Sequence, residues 1–392
     1  MRGNPDARQG AIALHGFYFL YYGLQGVSIP FLPLWFAERG LDSAFIGLIV
    51  ATALLPKILS TPVVAHVADQ TGRAHALIAA ALIGSLLLYA CYPLAATPAW
   101  LFAVTLLLNA VFPSVLPLLD RMAIASGRGQ GNSYTLIRAC GSLGFALMTV
   151  SGGYLIKTHG VNWVMWLPML MIVACLAMLR LLPRAARPAP DAAPATPGVT
   201  PMRAVLRDRP LLLCIAAASL VQASNGFLYS YSTLHWTAQG LSTALISLLW
   251  VVGVASEVLF FFAAPKVLAR VGAPRLILIS AVMTAIRWTG LAITADPTAI
   301  AVLQLLQCFT LAGNNAAIMW HIAARAPATA KTSAIALYAL LSGGVFMFAS
   351  IQLGGALYRH YAPGGFLVMA LCALGAVPLL RRARAPRPAG AD

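Results

Sequence analysis

Apolar positions in this chain fall into long runs rather than short stripes. Stretches of about 20 predominantly apolar residues, the length that carries a helix across the hydrocarbon core of a bilayer, recur throughout. They lie at roughly 11–36, 44–66, 74–95, 99–124, 134–157, 161–183, 210–236, 242–264, 274–294, 299–322, 333–358 and 365–380. The pattern predicts an all-α membrane protein with twelve transmembrane helices. The first run is long, aromatic and interrupted by Pro30 and Pro33, without a small-x-small cleavage site. It is therefore expected to stay as a membrane helix, not to be removed as a signal peptide.

Between Pro183 and Pro210 the runs give way to Pro, Ala and Arg, a composition that buries no core and behaves as a semi-extended linker. The expected organisation is a six-helix bundle over 1–183, a cytoplasmic linker over 184–209, and a second six-helix bundle with a short basic tail over 210–392. The two halves also repeat at an offset of 200 residues. Gly40-Leu41-Asp42-Ser43-Ala44 corresponds to Gly240-Leu241-Ser242-Thr243-Ala244, Val67 and Gly72 to Val267 and Gly272, and Gly144 to Gly344. With a slip of two residues, Gly152-Gly153 corresponds to Gly354-Gly355. A duplicated unit with parallel halves predicts two pseudo-symmetric bundles and a solute site at the repeat interface near the bilayer midplane.

Composition strengthens the membrane assignment and charge orients it. Sixty per cent of the 392 residues are hydrophobic and nine per cent charged, which excludes an ordinary water-soluble domain. The formal charge of +16 would point to nucleic acid in a soluble protein, but here it follows the loops. Of the 26 Lys and Arg, Lys57, Arg138 and Arg287 lie inside runs, and Arg39, Lys157 and Arg359 fall on one side. The remaining twenty fall on the other, which places both termini in the cytoplasm by the positive-inside rule and argues against a nucleic-acid partner. The six cysteines sit singly in apolar segments without C-x-x-C spacing, so they read as small buried hydrophobes.

The few polar groups inside the runs are the candidate chemistry, because an ionisable side chain within a membrane helix is costly and is read first as functional. Asp120 and Arg138 stand nine residues either side of Gly129, the centre of a glycine-rich turn from Ser126 to Ser133. In an antiparallel hairpin they share a depth, and they are expected to form a gating or structural pair. Glu257 and Arg287 lie fifteen residues either side of Gly272 and repeat that logic deeper in the membrane. Lys57 is twelve residues before Asp69, about 18 Å from the helix end. Asp120 accounts for Arg138 and Glu257 for Arg287, so Lys57 is left without a protein partner. That count favours a monoanionic carboxylate as solute, its apolar or aromatic body resting on rings of the first and seventh runs. The expected solute-binding residues are Lys57, Tyr22, Gln25, Asn225, Phe227, Tyr229 and Trp236, with Asn314 and Asn315 from the tenth run.

At the end of the second run, Ala65-His66-Val67-Ala68-Asp69-Gln70-Thr71-Gly72-Arg73 resembles the G-x-L-A-D-R-x-G-R loop signature of the major facilitator superfamily. Ala65 and Gln70 depart from it, while Asp69, Gly72 and Arg73 match and are expected to act in gating. Trp236, Trp250, Glu257-Val258, Arg287-Trp288 and Ile322-Ala323-Ala324-Arg325, with Pro117-Leu118, Asp120, Arg138 and Gly141-Ser142, resemble the bacterial phenylpropionate permease branch, related to lactose permease type proton symporters. The resemblance implies a multi-pass protein of the bacterial inner membrane that takes up a small solute with protons, Glu257 and Arg287 serving the coupling. It implies a monomer with no cofactor, driven by the proton gradient. The fifth run has glycines but no proline, and so lacks the Gly-Pro signature of drug exporters. No P-loop lysine, H-E-x-x-H or nucleophile elbow is present, so neither an ATPase nor an enzyme is expected.

Overall fold

In the computed structural model of the chain, residues 5–126, 133–182 and 199–384 are described, and among them every regular element is helical. The turn at 127–132 and Arg2, Arg128, Arg184, Arg187 and Arg387 lie outside the described residues, as do the side chains of Arg8, Asp69, Arg121, Tyr134, Thr135 and Arg384. The chain divides into two compact units, Met1–Ala193 with Thr233–Val251, and Pro194–Ser232 with Val252–Asp392.

The first unit holds α1 (Pro5–Glu38), α2 (Ser43–Thr52), α3 (Leu54–Thr71), α4 (Ala74–Cys91), α5 (Pro98–Val111), α6 (Val115–Ser126), α7 (Ser133–His159) and α8 (Trp163–Leu181). Its axis is α1, which packs along α7 and α8. The contact is close because glycines face it: a Cβ on Gly144 would run into the Phe19 carbonyl, and Thr149 Oγ1 donates to the Gly26 carbonyl at 2.8 Å. Small residues that let backbones approach, with a hydroxyl bonded across, are the usual means of joining helices where lipid removes the hydrophobic drive. Trp35 and Phe36 near the end of α1 form a buried ring cluster with Tyr89 and Tyr92 at the end of α4. The two tyrosine hydroxyls in it are satisfied by Ser28 at 2.8 Å and Thr105 at 2.9 Å.

The second unit contains α9 (Val199–Arg207), α10 (Arg209–Ala223), α13 (Ala273–Ile293), α14 (Pro297–Leu305), α15 (Asn314–Arg325), α16 (Lys331–Leu340), α17 (Phe346–Tyr358), α18 (Gly364–Leu374) and α19 (Ala376–Arg384). Two further helices complete the order, α11 (Thr233–Ala238) and α12 (Thr243–Val271). Polar cross-links hold the second unit: Trp288 Nε1 to Ser224 Oγ at 2.9 Å, Asn314 Nδ2 to the Ala218 carbonyl at 2.9 Å, and Ser350 Oγ to the Ala223 carbonyl at 2.7 Å. Three wide helical turns, Leu228–Ser232, Phe309–Gly313 and Leu341–Val345, interrupt its helices. Such π-turns free backbone groups and re-aim side chains, often at functional positions.

Two features differ from the linker reading. Residues 199–207 are helical, not extended, because Val199-Thr200-Pro201-Met202-Arg203-Ala204-Val205 leaves the Pro/Ala repeat behind and buries Val205. Residues 233–251 group with the first unit, since α11 packs on α1 and Thr243 Oγ1 donates to the Gly153 carbonyl at 2.8 Å.

The repeat is visible in the backbone. Gly40 and Gly240 take φ of 82° and 88°, and Gly72 and Gly272 take 65° and 76°, a left-handed range that only glycine enters without strain. Among the described residues, ten segments are long and apolar enough to cross a membrane. The segments over 5–38 and 297–325 are helical runs too, but Tyr18, Tyr21, Tyr22 and Gln25 in the first and Gln304, Gln307, Asn314 and Asn315 in the second lower their hydropathy. Leu59, Phe262 and Ile293 are 72%, 76% and 81% exposed, an apolar exterior suited to lipid and not to water.

Candidate functional site

In the second unit a buried acid and base meet through an amide. Arg287 on α13 is fully buried, and its Nη2 donates to Gln304 Oε1 and to Gln307 Oε1, each at 2.6 Å. Gln307 Nε2 in turn donates to Glu257 Oε1 on α12 at 2.5 Å. Among the described residues no carboxylate lies within ion-pair distance of Arg287. Glu257 and Arg287 are thus joined through Gln307 instead of touching, which refines the direct pairing expected from their depth.

The orientation of that amide follows from chemistry. A guanidinium has donors only and an ionised carboxylate acceptors only, while a glutamine carries both. Arg287 draws the Gln307 oxygen towards itself, so the nitrogen is left for Glu257. Gly253, one turn before Glu257, leaves the room: a Cβ there would lie 2.6 Å from Gln307 Oε1. Thr310, in the π-turn, lies 3.5 Å from Arg287 Nη1 and takes the Thr284 hydroxyl at 3.0 Å. Arg287 also lies 4.4 Å from the Trp288 ring centroid, and Tyr229 is near enough to interact electrostatically with both Glu257 and Arg287. Glu257 is only half-buried. It is the accessible end of a chain whose other end is sealed.

In the first unit Asp120 from α6 and Arg138 from α7 converge on tyrosines of α1. The Tyr18 hydroxyl donates to Asp120 Oδ1, Tyr18 stacks on Tyr22 with centroids 6.2 Å apart, and the Arg138 guanidinium sits 5.5 Å from the Tyr22 ring. Tyr18 and Tyr22 are one helical turn apart, so they present adjacent rings to the acid and the base. Neutralising either charge singly leaves the other under-compensated, at a smaller cost than in a fully buried pair because Asp120 is half-buried and Arg138 exposed. Asp120→Asn and Arg138→Gln are each expected to lower the thermal midpoint of the purified protein, and the double variant to recover part of the loss. A double variant no better than the singles would refute the pairing.

Other expected site residues take varied positions. Lys57 on α3 is exposed; its carbonyl accepts from the Thr61 hydroxyl at 2.7 Å, and its ammonium has no ion-pair partner among the described residues. Gln25 is half-buried on α1 and Asn315 exposed on α15. Phe227 and Trp236 are fully buried; Phe227 packs against Tyr231, Tyr358 and Phe366, so in this conformation it is core and offers no face to a solute. Asn225 and Asn314 are buried and use their amide nitrogens on the Gln222 and Ala218 carbonyls, while both side-chain oxygens lack a partner among the described residues. Gly72 ends α3 with its N–H on the Ala68 carbonyl at 2.9 Å, and Arg73 is exposed beyond it. Asp69 stands in the last turn of α3.

Reading the sequence missed Tyr18, Gly253, Gln304, Gln307 and Thr310. A signal existed for the glutamines, since Gln304 and Gln307 are three residues apart in the apolar stretch Ala301-Val302-Leu303-Gln304-Leu305-Leu306-Gln307 and share one helix face.

Apolar spans with an apolar exterior, a backbone repeat and ionisable groups linked inside helices define a multi-pass helical membrane protein of the transporter class. The chain belongs to the MFS_1 like family, whose profile matches residues 11–368. It is a transporter of the major facilitator type and not an enzyme. It is 28% identical over 361 residues to the probable 3-phenylpropionic acid transporter of Escherichia coli (strain K12), covering 92% of this chain and 94% of that one. It is also 28% identical over 388 residues to the maltose permease of Geobacillus stearothermophilus, covering 96% and 95%. Its fold matches the crystal structure of the nucleoside transporter NupG (D323A mutant) with a TM-score of 0.85 at 15% identity, covering 96% of this chain and 100% of the other.

Proposed function

We propose that the protein is a proton-coupled symporter that takes up a small organic monocarboxylate with an aromatic or apolar body. It works in the bacterial inner membrane with both termini cytoplasmic, as a monomer, driven by the proton gradient without a cofactor. The observation that carries the reading is the chain Glu257–Gln307–Arg287 inside membrane helices. A carboxyl whose proton affinity depends on its link to a buried guanidinium ties protonation to helix position. The carboxylate preference is supported by Lys57, a cation inside an apolar span with no ion-pair partner among the described residues, and by the name of the Escherichia coli relative.

Proteoliposomes with an imposed inward proton gradient are expected to accumulate 3-phenylpropionate, and a protonophore to abolish the accumulation. The maltose permease relative favours a second reading, uptake of a neutral sugar. Transport of maltose or uridine with none of any carboxylate would overturn the acid in its favour. Gradient-driven accumulation inside inverted vesicles would instead make the protein an exporter, and the absence of any solute-dependent proton flux would make it a receptor.

Lys57 supplies a sharper test. A hydrogen bond to a charged group contributes about 1.5–3 kcal/mol, tenfold or more in affinity. Lys57→Gln is expected to weaken binding of 3-phenylpropionate by about tenfold while leaving its uncharged amide nearly unaffected. Equal losses for acid and amide would show that Lys57 does not read the charge of the solute.

A further inference from the structure

The short helix α9 has no place in the coupling chemistry, yet it is firmly held. Val205 is fully buried in a core with Leu211, Ala330, Ala334 and Leu380, and α9 packs on α10, on the turn Ala328–Ala330 and on α16. Its other side is open: Arg203, Leu206 and Arg207 are exposed, Leu206 by 53%. One residue, Asp208, separates this helix from the span that begins at Arg209. That carboxylate is already engaged, accepting from Arg325 Nε at 3.0 Å and 3.2 Å and from the Leu211 N–H at 3.1 Å. Among the described residues no carboxylate lies within ion-pair distance of Arg203, Arg207 or Arg209.

The same end of the unit carries further basic residues. Spans alternate in direction, so the start of α10, the start of α16 and the end of α19 share one end, which adds Lys331, Arg381 and Arg382. A helix with a buried apolar anchor, a basic outer face and an exposed leucine, joined directly to a membrane span, is fixed at headgroup depth. Arginine forks match phosphodiester oxygens in pairs, and a polybasic juxtamembrane segment is drawn to an anionic leaflet.

We propose that α9 with Arg209 is a docking surface for anionic phospholipid headgroups, the exposed Leu206 resting at the acyl boundary. Because α9 rests on α10 and α16, lipid bound there braces the second unit. Connectivity to the span and the exposed leucine favour a lipid over a soluble phosphate or an acidic protein.

The full-length protein in detergent is the material for the test, with phosphatidylglycerol, phosphatidylcholine and sn-glycerol 3-phosphate as probes. Phosphatidylglycerol is expected to raise the thermal midpoint by several degrees more than phosphatidylcholine. Native mass spectrometry should show Arg203→Gln/Arg207→Gln retaining at least fivefold less phosphatidylglycerol, and Arg203→Lys/Arg207→Lys recovering most of it. The charge-matched pair Arg270→Gln/Arg275→Gln, on the same end but outside α9, should retain lipid as the wild type does. An equal loss in that control, no preference for phosphatidylglycerol in the wild type, or equal stabilisation by sn-glycerol 3-phosphate would overturn the proposal.

Discussion

Glu257→Gln is expected to leave solute exchange close to the wild-type rate while abolishing accumulation against a gradient. The substitution is nearly isosteric, and the glutamine oxygen still accepts from Gln307 Nε2, which in the native protein reaches Glu257 Oε1 at 2.5 Å. The packing around α12 and the amide's other bond, to Arg287 at 2.6 Å, are therefore retained. What is lost is the ability to bind and release a proton. A gradient can bias a conformational equilibrium only through a group that binds the proton differently in the two states. Without such a group the carrier equilibrates its solute, so the accumulation ratio falls to about 1 and proton flux no longer follows solute. Counterflow of labelled 3-phenylpropionate in proteoliposomes reads the exchange, and uptake under an imposed gradient reads the coupling. Proton-driven accumulation surviving in the variant would remove Glu257 from the mechanism. Loss of both exchange and accumulation, with the protein still folded, would make it a binding residue.

The ionisable part of this arrangement was legible in the sequence, and the neutral part was not. Glu257 and Arg287 stand out because each is a charge inside an apolar run, and counting residues from Gly272 places them at one depth. That count cannot say that a third helix lies between them. Gln304 and Gln307 are uncharged, and an amide in a helix is as often a packing residue as a linker until the registers of α12, α13 and the 297–325 run are known together. Aromatic positions show the same limit. Phe227 and Trp236 have the character of ligand-stacking rings, but both are fully buried, because whether a ring lines a cavity or fills a core depends on which neighbours surround it. The backbone, by contrast, was readable. Gly40, Gly72, Gly240 and Gly272 repeat at one spacing because each turn needs a positive φ, a requirement on the residue itself and not on its surroundings. The first and tenth spans illustrate both sides: their length marked them as membrane helices, while the tyrosines and glutamines that weaken their hydropathy are the side chains that receive Asp120 and Arg287.

Gln307→Leu is expected to destabilise the protein and uncouple it together. Leucine fills a similar volume beside Gly253 but offers neither the oxygen that Arg287 uses nor the nitrogen that Glu257 uses. Arg287 would keep Gln304 at 2.6 Å and Thr310 at 3.5 Å, leaving a fully buried guanidinium short of one acceptor. An unsatisfied buried partner costs about 1–3 kcal/mol, more when charged, so the thermal midpoint of the purified protein should fall by several degrees. Stability alone does not separate a linker from a packing residue, so the decisive measurement is a double-mutant cycle of Glu257→Gln with Gln307→Leu. Residues joined in one hydrogen-bond network show interaction energies of about 0.5–3 kcal/mol, whereas independent sites add within about 0.3–0.5 kcal/mol. A coupling near the upper range, with accumulation lost in Gln307→Leu while exchange is partly retained, is the outcome that the bridging amide predicts. Additive effects, or a Gln307→Leu protein that still concentrates its solute under a proton gradient, would reduce the amide to packing and leave the acid and the base to act separately.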